Sequence, residues 1–161
     1  MAMDGIRTML EVNGQPFELD LPPHATLAEA LRGPIGLTGT KIACNAGDCG
    51  ACSVLVDGRP VPSCQMLVAH VSGLVTTVEG LKGGIADALR AAFIEEGAFQ
   101  CGFCTSGQLI VCYGLVEQAS ALSDEELAAA LSGNICRCTG YAGIVRAVRR
   151  ASAQVVADAA C

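Results

Sequence analysis

Four cysteines in the first half of the chain, Cys44, Cys49, Cys52 and Cys64, are separated by four, two and eleven residues. That is the thiolate spacing of a plant-type [2Fe–2S] site. The first three lie in the run Cys44-Asn45-Ala46-Gly47-Asp48-Cys49-Gly50-Ala51-Cys52. Gly47 and Gly50 let backbone N–H groups close around an anionic group without Cβ clashes, so both are candidate cofactor-binding positions. A zinc knuckle usually pairs two Cys-x-x-Cys hooks, and this loop has one.

A second quartet follows. Cys101 and Cys104 form a Cys-x-x-Cys pair around Gly102, a third candidate cofactor-binding glycine, and thirty-one residues later come Cys136 and Cys138. Taken alone, this pattern suits either a second iron–sulfur cluster or structural zinc. Two metal centres on one small chain point to one-electron relay. The chain offers no catalytic dyad, phosphate loop or dinucleotide fingerprint, so no bond chemistry is assigned to it.

Composition narrows the setting. Of 161 residues, 52% are hydrophobic but only 4% are aromatic, there is no Trp, and mean hydropathy is +0.47. This apolar content exceeds what two small cores need, which suggests surface buried against partner subunits. The net charge of −6, with ten Lys and Arg, argues against nucleic-acid binding, because phosphate neutralisation requires a basic face. Arg146, Arg149 and Arg150 form the tight basic group and read as a solvated helix face or a helix C-terminal complement rather than a phosphate site. No basic, apolar leader opens the sequence and no run of eighteen apolar residues occurs. The expected location is therefore the cytoplasm, with no transmembrane segment, where reduced thiols favour metal ligation over disulfides.

The elements that must position these thiols divide into two halves, residues 1–80 and 81–161. Two alternating runs, Arg7 to Val12 and Gln15 to Leu21, meet at Asn13-Gly14, a type I′ hairpin signal. Thr26 caps a short helix that Gly33-Pro34 stops. A second hairpin turns at Asp57-Gly58 and delivers Cys64, and Leu74 to Val78 reads as a last strand. The first half is thus an α+β sheet domain. From Gly84 the apolar period becomes helical, at Ile85, Ala88, Leu89, Ala92 and Phe93, then at Leu109, Ile110, Tyr113 and Val116. A capping box at Ser123 to Glu126 opens a third helix that Gly133 or Asn134 closes, and Tyr141 to Ala157 supports a fourth. The cysteine pairs fall at junctions between these helices, and Glu79 to Gly84 is the expected hinge between the halves.

Several segments carry a resemblance to a known family: Gly36-Leu37-Thr38-Gly39-Thr40-Lys41, the Cys44 to Cys52 loop, Gln100-Cys101-Gly102-Phe103-Cys104, and Asn134-Ile135-Cys136-Arg137-Cys138-Thr139-Gly140-Tyr141. Together they resemble the small iron–sulfur subunit of molybdenum hydroxylases, the xanthine oxidase family, over nearly the whole chain. The resemblance implies a plant-ferredoxin-like β-grasp domain followed by an all-α four-helix bundle, each holding one [2Fe–2S] cluster. It implies partners as well: an FAD-binding medium subunit and a large subunit binding molybdenum with molybdopterin as its cytosine dinucleotide, assembled as a dimer of heterotrimers. Cys44, Cys49, Cys52 and Cys64 would then hold the cluster nearer the flavin, and Cys101, Cys104, Cys136 and Cys138 the one nearer molybdenum. Electrons would run from molybdenum through both clusters to FAD. Gln100 and Cys138 would lie against the pterin. The chain departs from the family pattern at Ala43, where Gly is common, and at Ser106, where Pro is common.

Cys112 shares an apolar face with Leu109 and Val116 and reads as a buried structural thiol, Cys161 as a frayed terminus, and His24 and His70 as surface or loop residues.

Overall fold

A computed structural model describes residues 5–116 and 119–159, and Cys161 lies outside them. The first half is a mixed five-stranded sheet in the order β2-β1-β5-β3-β4, built from β1 (Ile6–Val12), β2 (Gln15–Leu21), β3 (Ser53–Val56), β4 (Arg59–Pro62) and β5 (Leu74–Thr76). Two tight hairpins nucleate it. Asn13 and Gly14 take φ of 54° and 76°, and Asp57 and Gly58 take 49° and 76°, the left-handed pairs a type I′ turn demands. β5 enters beside β1, parallel to it, and closes the sheet against β3 in antiparallel register. Across this sheet lies α1 (Leu27–Arg32), whose capping box pairs Thr26 with Glu29. Leu27 and Leu31 of that helix meet Leu10, Val12, Leu19, Val54, Val68 and Val75 in one apolar layer. This is the expected β-grasp arrangement.

β5 is shorter than the alternation suggests, ending at Thr76. Thr77 leaves the ladder because its N–H donates to Asn13 Oδ1 at 2.9 Å and its hydroxyl receives Asn13 Nδ2 at 3.0 Å. The turn that starts the sheet thereby also ends it.

Four helices follow, α2 (Gly84–Glu95), α3 (Thr105–Leu115), α4 (Asp124–Ala130) and α5 (Ala142–Ala159). Leu89, Phe93, Val116, Leu127, Leu131, Ile144 and Val148 fill their shared core, with Cys112 fully buried among them. Ser123 and Glu126 form the capping box of α4.

Arg146 and Arg150 are exposed, as a solvated face would be, and the trio is also paired with carboxylates and carbonyls of other elements. Arg146 pairs with Glu96 at 2.8 Å, Arg150 with Glu95 and Glu96, and Arg149 spans the Ala119 and Leu122 carbonyls and the Asp124 carboxylate. These contacts tie α5 to the end of α2 and the start of α4.

The connection between the halves is bonded to both of them. The Glu79 carboxylate receives Gly39 N–H at 2.7 Å and the Thr77 hydroxyl at 2.6 Å, while Arg90 holds the Leu81 carbonyl at 2.7 Å. Leu81 then packs with Leu55 of the sheet and Ala86 and Ile110 of the helices, so the halves share a small core of their own.

Candidate metal centres

The first thiol loop is held at both ends. Arg32, in the last turn of α1, donates to the Thr38 and Thr40 carbonyls at 2.9 and 2.7 Å, and Ser53 N–H returns to the Gly50 carbonyl at 3.0 Å. Cys52 and Cys64 form an inner pair, packed against the buried Ala28 and against Ile42. The buried Ser63 hydroxyl fixes their spacing by donating to the Cys52 carbonyl at 2.6 Å. Burial pushes the Cys52 thiol up to about 11, with the Cys64 thiol beside it adding to the rise. Cys44 and Cys49 form an outer pair at the surface. There the backbone N–H of Ala46, 3.3 Å from Cys44 Sγ, leads a set of donors that pulls the Cys44 thiol down to about 6. Amides aimed at sulfur are what a thiolate-bound anionic centre requires. Gln65 completes the loop through its amide, which donates to the Asn45 carbonyl at 2.9 Å and lies 3.8 Å from Cys64 Sγ.

The second set is assembled from two helix junctions. Cys104 is the N-cap of α3, and Cys136 and Cys138 precede α5. Cys101 and Cys138 form the exposed pair, their sulfurs 3.6 Å apart. The Cys101 thiol beside it raises that of Cys138. Cys104 and Cys136 form the inner pair. Burial, with Cys136 next to it, pushes Cys104 up to about 12. Burial also opposes ionisation of Cys136, yet its thiol is lowered on balance, because the Thr139 hydroxyl donates to the sulfur at 3.2 Å. Tyr141 is part of the same support. In a left-handed backbone conformation (φ 66°), it brings its hydroxyl to accept the Cys136 N–H at 2.8 Å.

Each set therefore stands as an inner and an outer pair. Two pairs of thiolates are the donor set of a two-iron cluster.

The expected positions fall as follows. Gly47 and Gly102 take left-handed φ of 86° and 81° within the two loops. Gly50 (φ 66°) does something the sequence did not suggest, since a Cβ on it would lie 2.4 Å from the Gly133 carbonyl and 2.6 Å from the Asn134 side chain. Gln100 is exposed and donates its amide to the Cys138 carbonyl at 3.0 Å, which sets the two expected pterin neighbours side by side. His24 and His70 are exposed.

Sequence reasoning missed the seam between the two sets. The Ile135 N–H donates to the Cys49 carbonyl at 2.9 Å, and the Asn134 side chain donates to the Gly50 carbonyl at 2.9 Å. Asn134 reads in sequence as a helix stop, and nothing local distinguishes that role from a contact eighty-four residues away.

Comparison with known proteins agrees with this geometry. Residues 10–73 match the family described as a 2Fe-2S iron-sulfur cluster binding domain, and residues 77–149 match a second, described as a [2Fe-2S] binding domain. The chain is thus an iron–sulfur protein with two [2Fe–2S]-binding domains in succession. It is 43% identical to a probable xanthine dehydrogenase component of Bacillus subtilis, over 88% of this chain and 82% of that one. It is 44% identical to the nicotine 6-hydroxylase small subunit of Paenarthrobacter nicotinovorans, over 94% and 93%. The crystal structure of quinoline 2-oxidoreductase from Pseudomonas putida 86 superimposes with a TM-score of 0.87 at 40% identity, covering 97% of this chain and 98% of that one. The chain belongs to the small iron–sulfur subunits of the molybdenum hydroxylase, or xanthine oxidase, family. Among the described residues no helix is long and apolar enough to cross a membrane.

Proposed function

We propose that this chain is the electron-transfer subunit of a molybdenum-containing hydroxylase or dehydrogenase, itself performing no bond chemistry. Cys44, Cys49, Cys52 and Cys64 hold one [2Fe–2S] cluster and Cys101, Cys104, Cys136 and Cys138 the other, in two domains that divide near residue 80. When bound, the clusters pass electrons singly between a molybdopterin centre and FAD on partner chains, splitting a two-electron oxidation into one-electron steps.

The observation that carries this reading is the 2.9 Å bond from Ile135 N–H to the Cys49 carbonyl. It joins a ligand residue of the first centre directly to the neighbour of Cys136, a ligand residue of the second. The two centres are thereby connected by a short run of covalent bonds and one hydrogen bond.

The second centre faces outward. Exposed Cys101 and Cys138 are flanked by Phe99, Phe103 and Ile135, which are 42%, 47% and 51% exposed. An apolar rim around an exposed thiol pair suits burial beneath a partner. We assign that rim to the molybdopterin-binding large subunit, with Gln100 and Cys138 toward the pterin, present as its cytosine dinucleotide. The FAD-binding medium subunit covers the first centre, in a cytoplasmic dimer of heterotrimers.

Metal analysis and EPR of the dithionite-reduced complex test this reading. About four irons per chain and two distinct rhombic [2Fe–2S] signals are expected, with stoichiometric molybdenum. One signal with zinc in the helical half would overturn the relay. Cys136→Ser is expected to stop flavin reduction by substrate while flavin stays bound.

A further inference from the structure

Gln108, on α3, is fully buried, yet its amide is only half satisfied. Its Nε2 donates to the Asn134 carbonyl at 2.7 Å, while its Oε1 is buried without a donor. Asn134, itself 3% exposed, passes the contact on, its side chain donating to the Gly50 carbonyl at 2.9 Å. The next residue, Ile135, donates its N–H to the Cys49 carbonyl. One continuous chain of bonds thus runs from α3 through residues 134–135 to the first thiol loop.

The surrounding packing leaves this chain no slack. A Cβ on Gly107 would lie 2.3 Å from the Gly50 carbonyl, and one on Gly50 would lie 2.4 Å from the Gly133 carbonyl. A half-satisfied buried amide destabilises a fold, and an apolar side chain of the same shape would not. Core packing therefore does not account for Gln108. Its position does, because the amide holds the carbonyl of Asn134, whose side chain bonds the first loop and whose next residue, Ile135, both bonds Cys49 and precedes Cys136.

We propose that Gln108 and Asn134 are positioning residues that fix the gap between the two cluster loops, and with it the magnetic and electronic coupling between the clusters. The proposal rests on the two-cluster reading above. Both amides bond backbone carbonyls, so they act on the separation of the centres and leave the ligation of either unchanged.

The test uses the complex purified with its partners, carrying Gln108→Met, Asn134→Leu or both. Low-temperature EPR of the fully reduced protein reads the splitting each cluster imposes on the other. Wild type is expected to show that splitting, and each variant to narrow or lose it, with g values, cluster potentials and iron per chain unchanged. Because the two amides act as a unit, the double variant is expected to do no more than the stronger single one. Gln108→Met removes the orphaned oxygen but also strands the buried Asn134 carbonyl, two opposing effects of similar size, so its thermal midpoint is expected to stay close to that of wild type. Coupling is then lost at an unchanged thermal midpoint, which a purely structural role would not produce. Should Asn134→Leu lose iron, Gln108→Met decides the matter. Splitting of wild-type width in Gln108→Met, or two clusters without splitting in wild type, overturns the proposal. Absence of a second cluster in wild type overturns the two-cluster reading instead.

Discussion

Gly107 and Gly114 lie on the same helix, α3, and replacing each by Ala is expected to change stability in opposite directions. Ala is favoured over Gly in a helix by about 0.8–1 kcal/mol, so local propensity alone makes both substitutions stabilising. At Gly114 nothing lies within 4 Å of an added Cβ, and the gain stands. At Gly107 the Cβ would lie 2.3 Å from the Gly50 carbonyl oxygen, 3.0 Å from Asn134 Nδ2 and 3.2 Å from Ala51 Cα. Restoring ordinary contact there requires α3 and the first thiol loop to separate by roughly 1 Å, and such overpacking costs about 1–3 kcal/mol. The same movement lengthens the 2.9 Å bond from Asn134 to Gly50, whose loss costs about 0.5–1.5 kcal/mol. Net of the helical gain, Gly107→Ala is expected to destabilise by about 1–3 kcal/mol. At roughly 2–4 °C per kcal/mol for a chain of this size, the thermal midpoint falls by about 2–12 °C, while Gly114→Ala raises it by about 2–4 °C. Circular dichroism melts of cluster-loaded protein at one scan rate, with iron content matched, provide the assay. A Gly107→Ala midpoint at or above wild type would refute the close packing inferred for the seam.

Acid is expected to loosen the helix ends first. Glu29 and Glu126 receive the N–H groups of Thr26 and Ser123, and Glu96 is held by Arg146, so all three carboxylates lie below their usual value of 4.5. A depressed carboxylate contributes stability that is present above its unfolded value and lost as pH falls through the folded one. The midpoint should therefore stay level near neutrality and decline below about pH 4.5, with a shallower decline when Glu29, Glu96 and Glu126 are all replaced by Gln. An equal slope in that variant would contradict the assignment. Tyr141→Phe removes the acceptor of the Cys136 N–H and is expected to cost about 1–3 kcal/mol while altering the EPR signal of the second centre alone. A change in the first centre's signal would show that Tyr141 acts more broadly.

What the sequence discloses is what lies within a few residues of itself. Asn13-Gly14 and Asp57-Gly58 demand left-handed pairs, so both hairpins follow from the dipeptides. The Ser123 capping box announces α4, and the apolar period places Leu89, Phe93 and Val116 in the core where they are found. The cysteine spacing pointed to two thiol sets, the first carried by one loop and the hairpin after it, the second by close pairs at two helix junctions. The partners of the arginines were not legible for the complementary reason. Spacing along one helix reveals which residues share a face and leaves open what packs against it, and here Glu95, Glu96 and Asp124 from other elements do so.

Gly50 shows where such reading stops. In the loop sequence it is a cradle glycine like Gly47, and its φ of 66° suits that role. The space its missing Cβ leaves is filled by the Gly133 carbonyl and the Asn134 side chain, from the stretch of chain that carries Cys136. The residue thus serves the first loop through its backbone angle and the second through its lack of a side chain. Only the first requirement leaves a local trace. A larger residue tolerant of left-handed φ, such as Asn, would satisfy the loop and still hold the two centres apart. Gly50→Asn therefore separates the two functions, with the first site's iron expected to remain and the contact between Ile135 and Cys49 expected to be lost.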